Sequence, residues 1–359
     1  MRRILIASAF ILPGALLLPS AGHAQTFKVE KWNIGGDGGT DYLTAEAGTG
    51  RVFVSRGTHV MVVDGATGKV LGDIPDTPRT HGIGIAPKAN HGFTTNAGDS
   101  TLTMFDLKSL AVIKKIKVTN FGTVPGLDGI MYDADDDLII LTNHSRPVGT
   151  VQAYDPNTGD LKWTAELEDT GPEGAVANGK GWIYVNNENK HTLQVIDVQT
   201  HTAIKSWPST CTDGPTGIAY DKPSDRVFIG CGDTSAVLNG TTGAVVARYP
   251  NGGGVDALGY DPSQKLIYVP AGDDGTVTVV HQDSPDKYTV VATVHTMPGP
   301  RSAKTIAVDP VTHKAYLFQP EYGPAPAPPP GSPPPPAGRG GRGGPPRPIV
   351  AAWFFAISH

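Results

Sequence analysis

Short apolar runs separated by polar turns recur along the chain with one shape. Seven of them end in a polar or small residue: Val52 to Arg56, Gly92 to Asn96, Ile139 to Asn143, Ile183 to Asn187, Val227 to Cys231, Ile267 to Ala271 and Ala315 to Gln319. Runs of this length, rich in β-branched and aromatic residues and bounded by turn residues, read as strands. The turns before them include Asp221-Lys222-Pro223, Asp261-Pro262-Ser263 and Asp309-Pro310-Val311. In such turns Pro presets one dihedral and the Asp side chain caps the backbone. A third run then closes on Asp64, Asp106, Asp155, Asp197 or Asn239, at intervals of 42, 49, 42 and 42 residues. A fourth follows, as at Val112 to Val118 and Leu161 to Leu167. Four strands in each period of about 43 residues is the arithmetic of a β-propeller blade.

The ends of the chain bear on closure. A seventh unit has runs at Thr305 to Val308, Lys314 to Phe318 and Ile349 to Ile357, and then the sequence stops. The segment Phe27 to Trp32 matches a fourth strand, because the Gly-rich stretch after it, through Asp41, parallels Asn251 to Asp256 after Tyr249. Joining both termini in one blade would remove an open sheet edge. The expected fold is all-β, a seven-bladed β-propeller with four-stranded blades whose last blade is completed by the N-terminal strand.

The endings Phe93-Thr94-Thr95-Asn96, Leu141-Thr142-Asn143 and Tyr184-Val185-Asn186-Asn187 resemble the repeat that gives the YVTN β-propeller family its name. Seven units, an apolar leader and a Pro-rich tail before a last apolar strand are similar to its exported YncE-like members. The resemblance covers the whole chain after the leader apart from the Pro-rich segment. It implies a rigid scaffold and no particular chemistry, since propellers share a fold across many functions.

Composition adds two segments to this picture. Arg2 and Arg3, an apolar run from Ile4 to Leu18, and small residues up to Ala24 read as a secretory signal peptide over 1–24. The run is too short for a membrane span, and none is expected later in the chain. A periplasmic or secreted protein follows. Residues 324–348 hold 12 Pro and 6 Gly, with Arg339, Arg342 and Arg347 as their only charges. This insert, expected to be disordered, separates the propeller of 25–323 from its final strand at 349–359, either as a tolerated loop or as a basic tether for polymer, lipid or protein. Without the leader, 27 basic residues face 34 acidic ones, which argues against nucleic acid as a partner. Cys211 and Cys231, twenty residues apart in an oxidising compartment, read as a disulfide, with a free thiol as the alternative. A monomer is expected.

Candidate chemistry comes from the repeat register. Propellers carry ligands at the mouth of the central channel, where each innermost strand begins. Fifteen residues before each strand ending stand Asp41, His81, Asp128, Thr216, Asp256 and Lys304, and fourteen before Asn187 stands Glu173. The endings themselves, among them Arg56, Asn96, Asn143, Asn187 and Gln319, form a companion set expected at the same mouth. Asp128, Glu173, Asn143 and Asn187 are the candidate ligands for a hard cation such as Ca²⁺ or Mg²⁺, which favours oxygen donors; a hydrated polar ring without metal is the alternative. His81 and His144 are the candidate general bases, while the other histidines show no ligand spacing. No zinc, haem, nucleophile-elbow or phosphate-loop motif occurs. The leading expectation is a non-catalytic exported propeller binding a protein, a cell-envelope polymer or a small ligand at its mouth. The alternative is a metal-dependent hydrolase or lyase similar to propeller lactonases or streptogramin lyases; a quinoprotein-like redox domain is a weaker third.

Overall fold

In a computed structural model of the chain, residues 25–119, 126–297, 303–324 and 347–359 are described. The expected signal segment and most of the Pro-rich insert lie outside them. Strands are numbered in chain order. β1 is Lys28–Asn33. Blade 1 holds β2 Leu43–Ala45, β3 Arg51–Ser55, β4 Val60–Asp64 and β5 Val70–Ile74. Blade 2 holds β6 Thr80–Ala86, β7 His91–Asn96, β8 Thr101–Asp106 and β9 Val112–Lys117. Blade 3 holds β10 Gly126–Asp133, β11 Leu138–His144, β12 Thr150–Tyr154 and β13 Leu161–Glu166. Blade 4 holds β14 Pro172–Ala177, β15 Trp182–Asn187, β16 Thr192–Asp197 and β17 Thr202–Pro208. Blade 5 holds β18 Gly217–Asp221, β19 Arg226–Gly230, β20 Thr234–Asn239 and β21 Val245–Pro250. Blade 6 holds β22 Gly259–Asp261, β23 Leu266–Ala271, β24 Thr276–Ser284 and β25 Lys287–His295. Blade 7 holds β26 Ala307–Asp309, β27 Lys314–Tyr322 and β28 Ile349–Ser358.

Each blade is an antiparallel meander running outward, and the innermost strands touch their neighbours in a closed ring, β26 meeting β2. The ring closes as the sequence implied. β1 pairs with β28 from Lys28↔Ser358 to Asn33↔Trp353, so blade 7 is made from both ends of the chain. The hairpin of β27 and β28 also closes by itself, with Gly323 N donating to Pro348 O at 2.8 Å and Arg347 Nε to Gly323 O at 2.7 Å.

Burial explains the pattern of each strand. Second and third strands are packed on both faces, and β4, β11 and β15 accordingly carry an unbroken run of four apolar residues before their polar ends. The outermost β17 alternates exposed and half-buried residues. Seven apolar clusters fill the seven blade interfaces. One joins Ile140 and Val151 of blade 3 to Ile183, Val185 and Ile196 of blade 4. Another joins Val54 of blade 1 to Phe318 and Phe354 of blade 7.

The turn marker after each third strand has a mechanical reason. The Asp64 carboxylate accepts from the N–H groups of Ala66 and Thr67, both at 2.9 Å, and Asp155, Asp197 and Asn239 repeat the arrangement. Cys211 and Cys231 form the expected disulfide, with Cα atoms 5.5 Å apart, joining the approach to β18 to the end of β19.

Candidate functional site

Six of the seven register positions converge on one end of the channel. Asp41, His81, Asp128, Glu173, Asp256 and Lys304, together with His144, Arg79 and Tyr42, line a cup of about 290 Å³. In blades 2, 3 and 4 the same device aims the side chain inward. A β-bulge falls between Thr80 and Ile83, between Leu127 and Ile130, and between Pro172 and Ala175, so His81-Gly82, Asp128-Gly129 and Glu173-Gly174 each stand opposite one residue of the second strand. A bulge bends its strand and redirects a side chain. The glycine is required by close approach. A Cβ on Gly174 would lie 2.8 Å from Thr216 O and 2.9 Å from Ile218 Cγ2 in the next blade.

The residue opposite each bulge makes a side-chain hydrogen bond to an innermost strand. Thr95 Oγ1 accepts from Gly82 N at 2.8 Å and donates to Asp128 O at 2.7 Å. Thr142 Oγ1 donates to Gly129 O at 3.2 Å, and Asn186 Nδ2 to Gly217 O at 2.9 Å. Thr95 thus clamps the innermost strands of blades 2 and 3 together, Asn186 reaches the innermost strand of blade 5, and Thr142 holds the bulge of its own blade.

The companion set is placed differently from the expectation. Arg56, Asn96, Asn143 and Asn187 do not line the cup. They sit one strand further out, where their side chains serve the loops behind it. Asn96 Nδ2 donates to Thr101 and Thr103, Asn187 Nδ2 donates to Gln194 at 2.9 Å, and Asn143 Oδ1 accepts from Gly126 N at 3.1 Å. Arg56 is fully buried, donating to the carbonyls of Gly35, Gly36 and Gly38 with Phe318 beneath its guanidinium. Thr216 turns its hydroxyl to Val255 O at 2.8 Å and faces the channel below the cup.

Around the cup, acids and bases alternate. Lys304 Nζ pairs with Asp256 and lies 3.4 Å from Asp41 Oδ1. Asp41 Oδ2 is 2.5 Å from His81 Nδ1, which is 3.3 Å from Asp128 Oδ1. Asp128 Oδ2 is 3.4 Å from His144 Nε2, and that nitrogen is 3.3 Å from Glu173 Oε1. Tyr42, which the register argument passed over, reaches from blade 1 across the axis and donates its phenol to Glu173 Oε2 at 3.3 Å. Its signal was present in the sequence. It follows Asp41, at a position where the other blades carry Gly, Ala or Thr.

Tyr42 also lines a second cavity of about 170 Å³ deeper in the channel, walled by Leu43, Ile83, Ile130, Ala175, Ile218, Leu258 and Ile306. One such residue comes from each blade, two places after each register position. The mouth is thus a polar cup floored by a tyrosine over an apolar belt.

The electrostatics follow from burial and alternation. Burial disfavours the His81 cation, but Asp128 and Asp41 outweigh it and raise its pKa to about 9. His144 is likewise penalised by burial, yet Asp128 and Glu173 carry it up to about 11. Asp128 resists the same penalty through His144 and His81, which hold its carboxyl below the usual range. For Glu173 burial prevails, helped by the charge of Asp128 and opposed by His144, and its pKa rises to about 8. Burial also raises Asp256 against the pull of Lys304, and keeps the Tyr42 phenol protonated as a donor.

Two triads of this ring have the composition of metal sites: Asp41, His81 and Asp128, and Asp128, His144 and Glu173, each with donor atoms within 4.8 Å of one another. Among the described residues no helix is long and apolar enough to cross a membrane.

No protein-family model matches the chain, and no curated protein matches it. Solved structures do. A chain of Kuenenia stuttgartiensis hydrazine synthase superposes with a TM-score of 0.63 at 16% identity, over 78% of this chain and 92% of that one. A chain from the crystal structure of a mitotic checkpoint complex superposes with a TM-score of 0.68 at 14% identity, over 88% of this chain and 96% of that one. At these identities the likeness is one of fold, and it supports a β-propeller without assigning chemistry to the mouth.

Proposed function

We propose that this protein is an exported β-propeller of the YVTN-repeat, YncE-like kind that binds a small polar ligand in its channel mouth. The observation that carries the reading is the cup itself: about 290 Å³, open at one end, floored by Tyr42 and walled by charged groups of both signs from six blades. Such a site is concave and preformed, and its convergent polar groups orient a ligand. The cup is too small for a folded partner, and its mixed charge suits a molecule carrying an anionic and a hydrogen-bonding group. The Cys211–Cys231 disulfide fits an oxidising compartment outside the cytoplasm.

The test is a melting-temperature screen of the full chain against sugars, amino acids, dicarboxylates and sugar phosphates. A ligand present at about 100 times its Kd adds about 2.7 kcal/mol to stability. The expected result is a rise in melting temperature with at least one class, lost in Lys304→Met and Arg79→Ala. A rise that both variants keep, or none with any class, would remove the cup from consideration. Retention of a protein partner sensitive to neither substitution would favour the outer surface instead.

A further inference from the structure

The five His and carboxylate side chains on one side of the cup are arranged as two donor groups that share a residue. Asp128 turns Oδ1 toward His81 Nδ1 at 3.3 Å and Oδ2 toward His144 Nε2 at 3.4 Å. Asp41 offers Oδ2 to the first group and Glu173 offers Oε1 to the second. Each group has one imidazole nitrogen, one terminal carboxylate oxygen and one oxygen of Asp128. The separations are those a metal would need. Two ligands held about 2.05 Å from a tetrahedral ion lie about 3.3 Å apart. Three of the four contacts have this spacing, and the fourth, Asp41 to His81 at 2.5 Å, would open by under about 1 Å as a proton gives way to an ion.

Two further features point the same way. Nε2 of His144 is enclosed, yet among the described residues it makes no hydrogen bond; it stands between two carboxylates at ion-pair distance. The outer oxygen of each terminal carboxylate is also held from behind, Asp41 Oδ1 by Lys304 Nζ at 3.4 Å and Glu173 Oε2 by the Tyr42 hydroxyl at 3.3 Å. Metal-binding carboxylates are commonly fixed by outer partners of this kind.

We infer that the cup holds a pair of divalent first-row transition-metal ions, with Asp41 and His81 on one, His144 and Glu173 on the other, and Asp128 bridging the two. Bridged ions of this type stand about 3.5 to 4 Å apart. The donor set selects the metal: one nitrogen and two oxygens suit Zn²⁺, Mn²⁺, Fe²⁺ or Co²⁺, whereas Ca²⁺ and Mg²⁺ prefer oxygen throughout. This replaces the hard cation and the Asn143 and Asn187 ligands expected from the repeat register. Three carboxylates leave one positive charge on two divalent ions, so the open coordination positions favour an anion. The inference therefore deepens the proposed function, on which it rests, by naming the ligand class as a carboxylate or phosphate.

The test uses the tag-free, chelator-treated full chain, titrated with zinc alone by calorimetry and checked by elemental analysis after gel filtration. Two zinc ions per chain are expected, with one retained in His81→Ala, one in His144→Ala, none in Asp128→Asn, and no heat from calcium. Circular dichroism of each variant separates lost ligation from lost fold. Fewer than two zinc ions in the unaltered chain, or two in both folded histidine variants, would overturn the inference. If zinc fails to bind while a small molecule still raises the melting temperature of chelated protein, the metal pair falls and the ligand site stands. If zinc binds as expected but no anion raises it, the pair stands and the ligand reading falls.

Discussion

At the scale of single residues, the cup concentrates protons. His81 holds its proton up to about pH 9 and His144 up to about 11, against 6.5 for an ordinary imidazole; Glu173 holds one to about 8 against 4.5. All three groups bind more protons in the folded chain than in the unfolded one, so stability must fall as pH rises. The Glu173 contribution is lost between 4.5 and about 8, and the histidine contributions, complete below 6.5, are lost through about 9 and beyond. Metal-free protein should therefore melt at a lower temperature at about pH 9 than at about pH 6, and Glu173→Gln should flatten the earlier part of that decline. Thermal scans in chelator across this range check the sign, and a melting temperature that climbs would contradict the charge assignments. Arg56 shows the opposite use of a charged residue. It is buried to hold the carbonyls of Gly35, Gly36 and Gly38, and it takes no part in the cup.

At the scale of the strand, the bulges of blades 2, 3 and 4 connect packing to chemistry. Each consists of an ionisable residue and a glycine opposite a polar residue of the second strand, and each glycine faces the backbone of the next blade. Gly174→Ala places a methyl 2.8 Å from Thr216 O, so blade 5 must shift or the bulge must flatten. The expected cost is about 1 to 3 kcal/mol in urea denaturation, accompanied by loss of ligand or zinc binding as Glu173 swings out of register. Unchanged stability and binding would show that the bulge has slack that these distances do not indicate. The strands, their order and the register positions were legible in the sequence because apolar runs repeat at a fixed spacing. The bulges were not, since a two-for-one pairing leaves the count along a strand nearly unchanged. The hairpin leading to Asn187 is a residue shorter than the others because its turn is shorter, and it carries the same bulge as blades 2 and 3.

At the scale of the whole molecule, the ring is closed by β1 lying on β28. The hairpin of β27 and β28 is pinned by Gly323 and Pro348, where the two ends of the insert meet. Replacing residues 325–346 by a short Gly-Ser turn should leave the melting temperature within about a degree or two, because lengthening a surface loop costs little beyond closure entropy. Differential scanning calorimetry of the two chains tests this, and a large fall would assign the insert a packing role. Removing β1 would act in the opposite sense, since it exposes the whole edge of β28.

What the sequence determined by itself was the repeat, the strand count, the closure by the two termini, a cysteine pair at disulfide spacing and a register of candidate positions. These are properties of spacing and of apolar alternation, which local chemistry imposes wherever the chain is read. Which of those positions face the cup was decided only by the tertiary structure. Side-chain direction at a strand end depends on bulges, on the neighbouring blade's backbone and on the hydrogen bonds left to satisfy. The sequence placed Asn143 and Asn187 beside Asp128 and Glu173 in register, but Asn143 Oδ1 accepts from Gly126 N and the Asn187 amide nitrogen donates to Gln194. Register alone did not show that the Tyr42 side chain crosses the axis to Glu173, or that one carboxylate, Asp128, stands between two histidines from different strands. The Tyr42–Glu173 and His81–Asp128 relations join residues of separate blades, and only the closed ring brings them within reach.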